Sequence, residues 1–164
     1  MKKKLFAGLV MAVAALAGAG GAQAQSLPIS VEARLDAGLP VGDAADVYDQ
    51  AIGFGIHAAL QATPLFALYG GFSRFEFERE DDFDDRKSEG LEFGGRVTLG
   101  TGGGIANPFF QLGALVYDDD TGLEAGLGGF YPVGQNLSIT PMVRYRTIDE
   151  LDYVAVGVGV NLRF

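Results

Sequence analysis

The sequence predicts an all-β fold, an eight-stranded antiparallel up-and-down transmembrane β-barrel. Three observations predict it. Eight segments alternate apolar residues with polar or small ones at period two, the pattern of strands with contrasting faces. The connections between them alternate between plain and acidic. The last alternating run ends flush at Phe164, and the chain opens on the pattern of a secretion signal.

The N-terminal segment sets the compartment. Lys2, Lys3 and Lys4 form a basic start, an apolar stretch runs from Leu5 to about Leu16, and small residues continue to Ala24. Ala22-Gln23-Ala24 has the A-x-A form of a cleavage site. The apolar run is shorter than the ~20 residues of a spanning helix. A cleaved secretory signal peptide is therefore expected over residues 1–24, and a single barrel domain over residues 25–164. With no cysteine, a lipoprotein anchor and disulfides are excluded. The formal net charge of −9 argues against nucleic acid as a partner, which needs basic patches. No later segment is long and apolar enough to cross a membrane as a helix. Membrane insertion would then require a closed barrel, because lipid cannot satisfy an open sheet edge.

The strands follow in order. The first, about Ile29 to Ala37, sets Ile29, Val31, Ala33, Leu35 and Ala37 against Ser30, Glu32, Arg34 and Asp36. The second, about Ala51 to Gln61, sets Ile52, Phe54, Ile56, Ala58 and Leu60 against Gly53, Gly55, His57 and Ala59. Thr63-Pro64 makes a short turn. In the third, about Leu65 to Glu78, grouping Arg74, Glu76 and Glu78 leaves Tyr69, Gly71, Phe75 and Phe77 opposite. The fourth, about Gly90 to Gly100, sets Leu91, Phe93, Val97 and Leu99 against Glu92, Gly94, Arg96 and Thr98. A glycine-rich turn from Thr101 to Asn107 leads to the fifth, about Pro108 to Tyr117, with Phe110, Leu112, Ala114 and Val116 on one face.

The sixth, about Leu123 to Tyr131, sets Leu123, Ala125, Leu127 and Tyr131 against Glu124, Gly126 and Gly128. The seventh, about Leu137 to Thr147, sets Leu137, Ile139, Val143 and Tyr145 against Ser138, Thr140, Arg144 and Arg146. Pro141 donates no ladder hydrogen bond, so a bulge or weakened pairing is expected there. The eighth carries Val154, Val156, Val158, Val160, Leu162 and Phe164 on one face. Most segments run about 9–11 residues, the length at which a tilted strand crosses a bilayer.

Periodicity alone does not say which face looks out. A soluble lipocalin-like barrel would turn the apolar face inward; a membrane barrel reverses it. The secretion signal, the terminal aromatic and the strand lengths favour the second. The polar face then lines a narrow lumen. Its charges nearly balance: Glu32, Asp36, Glu76, Glu92 and Glu124 against Arg34, Arg74, Arg96, Arg144, Arg146 and Arg163. Unpaired charge there would be costly, so ion-paired layers forming a polar plug are expected.

The turns at Ala62–Pro64, Thr101–Asn107 and Pro132–Asn136 are short and uncharged. The alternate connections carry Asp43, Asp46 and Asp49; Glu80, Asp81, Asp82, Asp84, Asp85 and Glu89; Asp118, Asp119 and Asp120; and Asp149, Glu150 and Asp152. This puts the acidic end outside, because such barrels have short periplasmic turns and longer outer loops. Tyr131, Phe66 and Phe110 near the plain end, with Phe75, Phe77, Tyr117, Tyr145 and Tyr153 near the acidic end, are expected as aromatic girdles.

Gly159, Leu162 and Phe164 resemble the C-terminal recognition signal of bacterial outer-membrane β-barrel proteins, in which a glycine lies five residues before a terminal aromatic. From signal through strands and turns to Phe164, the chain resembles the superfamily that includes OmpA-type and OmpX/Ail-type proteins. The resemblance implies the bacterial cell outer membrane as location, outer-membrane lipid as surroundings, and the barrel-assembly machinery as a partner engaging the C-terminal strand. It also implies a monomer.

The remaining constellations are weak. His57 is the only histidine. Ser30, one strand away, is the nearest candidate for a Ser-His pair, and no oxyanion hole accompanies it, so no catalysis is expected. Asp118-Asp119-Asp120-Thr121-Gly122 lacks the alternating spacing of a calcium loop and reads as a solvated turn. No cofactor or metal is expected. The role read from these features is a structural scaffold with a plugged polar lumen and acidic extracellular loops. The alternatives are a surface adhesion or ligand-binding module acting through the loops, and a narrow porin-like channel for small solutes.

Overall fold

Eight antiparallel strands follow one another around a closed barrel in a computed structural model that describes residues 28–79, 86–100, 106–117, 120–149 and 151–164. The expected signal peptide, Glu80 to Asp85, Thr101 to Ile105, Asp118, Asp119 and Glu150 lie outside the described residues. The strands are β1 (Ile29–Pro40), β2 (Tyr48–Gln61), β3 (Phe66–Arg79), β4 (Arg86–Thr98), β5 (Asn107–Tyr117), β6 (Asp120–Pro132), β7 (Leu137–Ile148) and β8 (Leu151–Arg163). A 3-10 helix, Gly42–Asp46, sits between β1 and β2. β8 pairs with β1 and closes the barrel, with Arg34 opposite Gly159 and Asp36 opposite Gly157. Closure removes every sheet edge along the shared wall.

Alternation decides the two faces. On the outer wall Leu35 is 65 % exposed and Ile52 66 %, whereas Arg144 and Arg146 inside are 0 % exposed. Several strands run further at the acidic end than their patterns predict. β1 extends to Pro40, β2 begins at Tyr48 and β4 at Arg86. The β3–β4 pairing continues to Phe77↔Arg86, but the β4–β5 pairing stops at Gly90↔Tyr117. The β3–β4 hairpin therefore overtops its β5 neighbour. At the β7–β8 hairpin, Asp149 takes φ 52°, the left-handed conformation that tight hairpin turns require.

Pro141 does not shift the register. The β6–β7 ladder passes through Gly128↔Met142 and resumes at Tyr131↔Ile139 in the same frame, while Pro141 stands opposite Val158 on the other side. The expected weakening is thus on one side only, and the bulge does not occur. A register shift lies instead between Tyr48 and Gln50 at the start of β2.

Two corrections concern β3. Arg74 and Glu76 do not enter the lumen. They stand on the outer wall, where Arg74 pairs with Glu76 and, at 3.6 Å, with Glu89. Tyr69, Ser73, Phe75 and Phe77 point inward instead, all of them buried. The residue grouping along β3 is as expected; the face is reversed. The reason is volume. Phe75 fills space above Gly53, where a methyl group on the glycine would come within 2.5 Å of Cε1 of the ring. Arg74 and Glu76 instead stay partly exposed on the outer wall, with side chains 31 % and 49 % exposed. The outer girdle is also corrected: the β3 reversal turns Phe75 and Phe77 inward, and Tyr117 and Tyr153 follow the inward parity of β5 and β8. Phe75, Phe77, Tyr117 and Tyr153 are inside, and Tyr145, 45 % exposed, is the one of that set on the outer wall.

Candidate functional site: the filled lumen

The interior is built in three layers. The layer at the acidic mouth is apolar. Phe75, Phe77 and Tyr153 pack ring to ring, with centroids 5.3 Å (Phe75–Tyr153) and 5.1 Å (Phe77–Tyr153) apart. Ala51, Leu115, Tyr117, Ile148, Leu151 and Ala155 complete the cluster, and Ala44 of the 3-10 helix joins it. Edge-to-face ring packing of this kind adds to simple burial.

The middle layer holds the charges. Among the described residues, the buried lumen ions are Glu32, Asp36, Glu92 and Glu124 with Arg34, Arg96, Arg144 and Arg146. Four carboxylates thus meet four guanidinium groups, and moving Arg74 and Glu76 outside leaves this balance intact because they carry opposite charges.

Glu92 is the principal hub. Its Oε2 accepts from Arg34 Nη2 at 2.8 Å and lies 2.7 Å from His57 Nε2. Its Oε1 accepts from Tyr117 OH at 2.7 Å and also from Ser73 and Arg146. Glu124 is the second hub. Tyr69 OH donates to it at 2.6 Å and Gln111 Nε2 at 2.8 Å, with Arg144 Nη1 and Arg146 Nε each at 3.3 Å. Asp36 holds Arg144 Nη2 at 2.6 Å and Arg34 Nε at 3.3 Å. Glu32 pairs with Arg96 Nη1 at 3.5 Å. Each ion borrows partners from strands across the lumen, so the network ties opposite walls together.

The layer toward the plain end mixes aromatic and polar groups. Phe109 and Phe130 lie 4.8 Å apart, and the Arg96 guanidinium sits 4.4 Å from the Phe109 ring centre. Gln111 Oε1 accepts from Arg96 Nη2 at 3.0 Å. Asn161 Nδ2 reaches Ser30 Oγ at 3.3 Å near the rim. Arg163, grouped with the lumen charges by parity, ends exposed at this rim.

The sequence reading did not single out Tyr69, Ser73, Gln111 and Tyr117 as members of the network. Parity could have found Gln111 and Tyr117, which lie opposite the apolar face of Phe110, Leu112, Ala114 and Val116 on β5, but it pointed away from Tyr69 and Ser73, which share the β3 face opposite Arg74 and Glu76. No nucleophile–base pair is assembled among the described residues. Ser30 bonds Asn161 rather than His57, and Glu92 stands between His57 and Ser73. Gly159, Leu162 and Phe164 lie on the closing strand and at its end; Gly159 pairs with Arg34 of β1, and the Phe164 amide donates to the Ile29 carbonyl at 2.9 Å.

No protein-family model matches the sequence, and no curated protein sequence does. Solved structures do. Neisserial surface protein A (NspA) aligns over 83 % of this chain and 97 % of its own, with a TM-score of 0.67 and 14 % identity. Ail, the attachment invasion locus protein of Yersinia pestis, aligns over 84 % of this chain and 97 % of its own, with a TM-score of 0.54 and 16 % identity. It has also been solved with the heparin analogue sucrose octasulfate, and that structure gives a TM-score of 0.55 at 17 % identity. The N-terminal β-barrel domain of Pseudomonas aeruginosa OprF aligns over 82 % of this chain and 97 % of its own, with a TM-score of 0.56 and 16 % identity. With these proteins the chain shares the fold of a closed, eight-stranded antiparallel β-barrel.

Proposed function

We propose that the protein is a monomeric scaffold of the bacterial outer membrane, sealed along its axis and displaying acidic loops outside. The supporting observation is the filled lumen: four buried acids matched by four buried arginines, roofed by the Phe75–Phe77–Tyr153 cluster. Such a stack of paired charges and packed rings supports a lumen closed to ions. The outer wall of Leu, Val, Ile and Phe side chains suits lipid hydrocarbon, and the signal expected over residues 1–24 would deliver the chain to the envelope. The barrel-assembly machinery would engage β8 through Gly159, Leu162 and Phe164.

Two measurements test this reading. Purified protein in a planar bilayer should give no stable single-channel steps; regular steps would replace the scaffold with a channel. In a gel, unboiled protein should migrate differently from boiled protein, and cell fractionation should place it in the detergent extract. Recovery in the aqueous periplasmic fraction would instead favour a soluble carrier.

A second reading, a surface binding module, is favoured by the β3–β4 hairpin that overtops β5. Its outward side chains there, Arg74, Glu76, Glu78, Lys87 and Glu89, are charged. A polyanion such as the heparin analogue bound by Ail does not suit this end, because Asp43, Asp46, Asp49 and Asp149 crowd it with negative charge. A basic partner does. Deleting residues 80–85 and assaying binding to immobilised basic peptides against heparin separates the two chemistries.

A further inference from the structure

Among the described residues, the outer wall has a notch at β6 and β7 where protein atoms do not fill the space between strands. The β6–β7 ladder skips Gly129 and Phe130, which in its frame stand opposite Pro141 and Thr140 respectively. Proline brings no N–H and glycine brings no side chain, so the wall is thin there for both reasons. A cavity of about 400 Å³ opens outward at this place. Pro108, Tyr131, Pro141, Val143 and Val156 rim it, and Met142 forms its floor. Met142 is only 3 % exposed, and its sulfur accepts from Arg34 Nη1 at 3.6 Å on the lumen side. Met142, together with the side-chain-free backbone of Gly128 and Gly157, separates the notch from the buried ions.

We propose that this notch holds one acyl chain of a membrane lipid, from the leaflet at the plain end of the barrel. The inference rests on the membrane reading above. The notch is continuous with the apolar belt, where Val143 and Val156 are exposed, so hydrocarbon is the solvent that meets it. Its rim is apolar except for the Tyr131 hydroxyl. That group stands near the end of β6, where an amphipathic ring meets lipid headgroups. The volume falls within the roughly 300–1,000 Å³ typical of small-ligand sites. A second barrel is not the occupant, since stable protein interfaces bury about 1,200–2,000 Å² and call for a broad matched face. The bound chain closes the thin part of the wall and lies against Met142, whose polarizable side chain adapts to such a surface.

The test uses the mature barrel folded into unilamellar vesicles of phosphatidylethanolamine and phosphatidylglycerol. A trace of phosphatidylethanolamine carries a photoactivatable diazirine on its acyl chain. After irradiation, adducts are mapped by mass spectrometry. The expected result is several-fold more labelling at Tyr131, Pro141 and Val156 than at Leu60, Leu68 and Val97, which face outward near the same end of the far wall. Val156→Phe, or Val143→Phe should the first not fold by the gel-mobility criterion, fills the notch and should bring its labelling down to the far-wall level. Equal labelling of both walls in the wild type, or an enrichment unchanged by the filling variant, would mean ordinary surrounding lipid only and would overturn the proposal. Labelling absent from both walls would overturn the membrane reading itself, and the proposal with it.

Discussion

Glu92 shows at one residue how the interior is held. Its two oxygens take partners from β1, β2, β3, β5 and β7, so no other side chain can replace what it joins. Glu92→Gln leaves Arg34 and Arg146 buried beside a neutral amide. Breaking a buried pair from one side typically costs about 3–5 kcal/mol. Urea unfolding of the reconstituted barrel should show a loss of that size. Arg74→Ala should change stability by no more than about 1 kcal/mol, because exposed pairs contribute little. The contrast also checks the face assignment of β3. If Arg74→Ala were as damaging as Glu92→Gln, Arg74 would belong inside.

At the scale of elements, β2 and β3 meet through a fit of shape. Phe75 lies over Gly53, and the ring occupies the volume a side chain would need. Gly53→Ala forces that ring aside and should cost about 1–3 kcal/mol, as overpacking does. In a Phe75→Leu background the same substitution should cost less, since the smaller side chain can yield. A double-mutant cycle by denaturant unfolding reads the difference; strictly additive costs would mean that the two residues are uncoupled. The β6–β7 pair shows the opposite arrangement. There Pro141 and Gly129 leave space rather than fill it, and Met142 is the large side chain that backs the gap, beside Gly128 and Gly157. Met142→Ala should cost about 2–5 kcal/mol, the range for truncating a buried methionine.

Taken whole, the described barrel buries one balanced set of charges in its lumen, leaves the others exposed, and presents many apolar side chains on its outer wall. Salt screens exposed pairs and leaves buried ones nearly untouched. Unfolding stability should therefore change by less than about 1 kcal/mol between roughly 0.1 M and 1 M salt, outside any effect on the loops. A steep loss of stability with salt would place the stabilising ion pairs at the surface. The roof over the ions is equally a property of the whole, since β2, β3, β5, β7, β8 and the 3-10 helix each contribute to it.

How much of this was legible depends on what a period of two can carry. Alternation across β1, β2 and β4 to β8 told which residues share a face, and the plain and acidic connections told how the strands are strung. Glu32, Arg34, Asp36, Glu92, Arg96, Glu124, Arg144 and Arg146 stand inside by that parity. Alternation does not tell which face turns inward when both carry large side chains. In β3 one face offers Tyr69, Phe75 and Phe77 and the other Phe72, Arg74 and Glu76, and the charges pointed the wrong way. Only closure of the barrel settled it, because the volume above Gly53 accepts a ring while Arg74 and Glu76 stay partly exposed on the outer wall. The chain order alone thus determined eight alternating strands and their sequence around the barrel. Tertiary packing decided which carboxylate meets which guanidinium, where the aromatic roof lies, and where the wall thins, since each depends on side chains brought across the lumen from strands far apart in sequence.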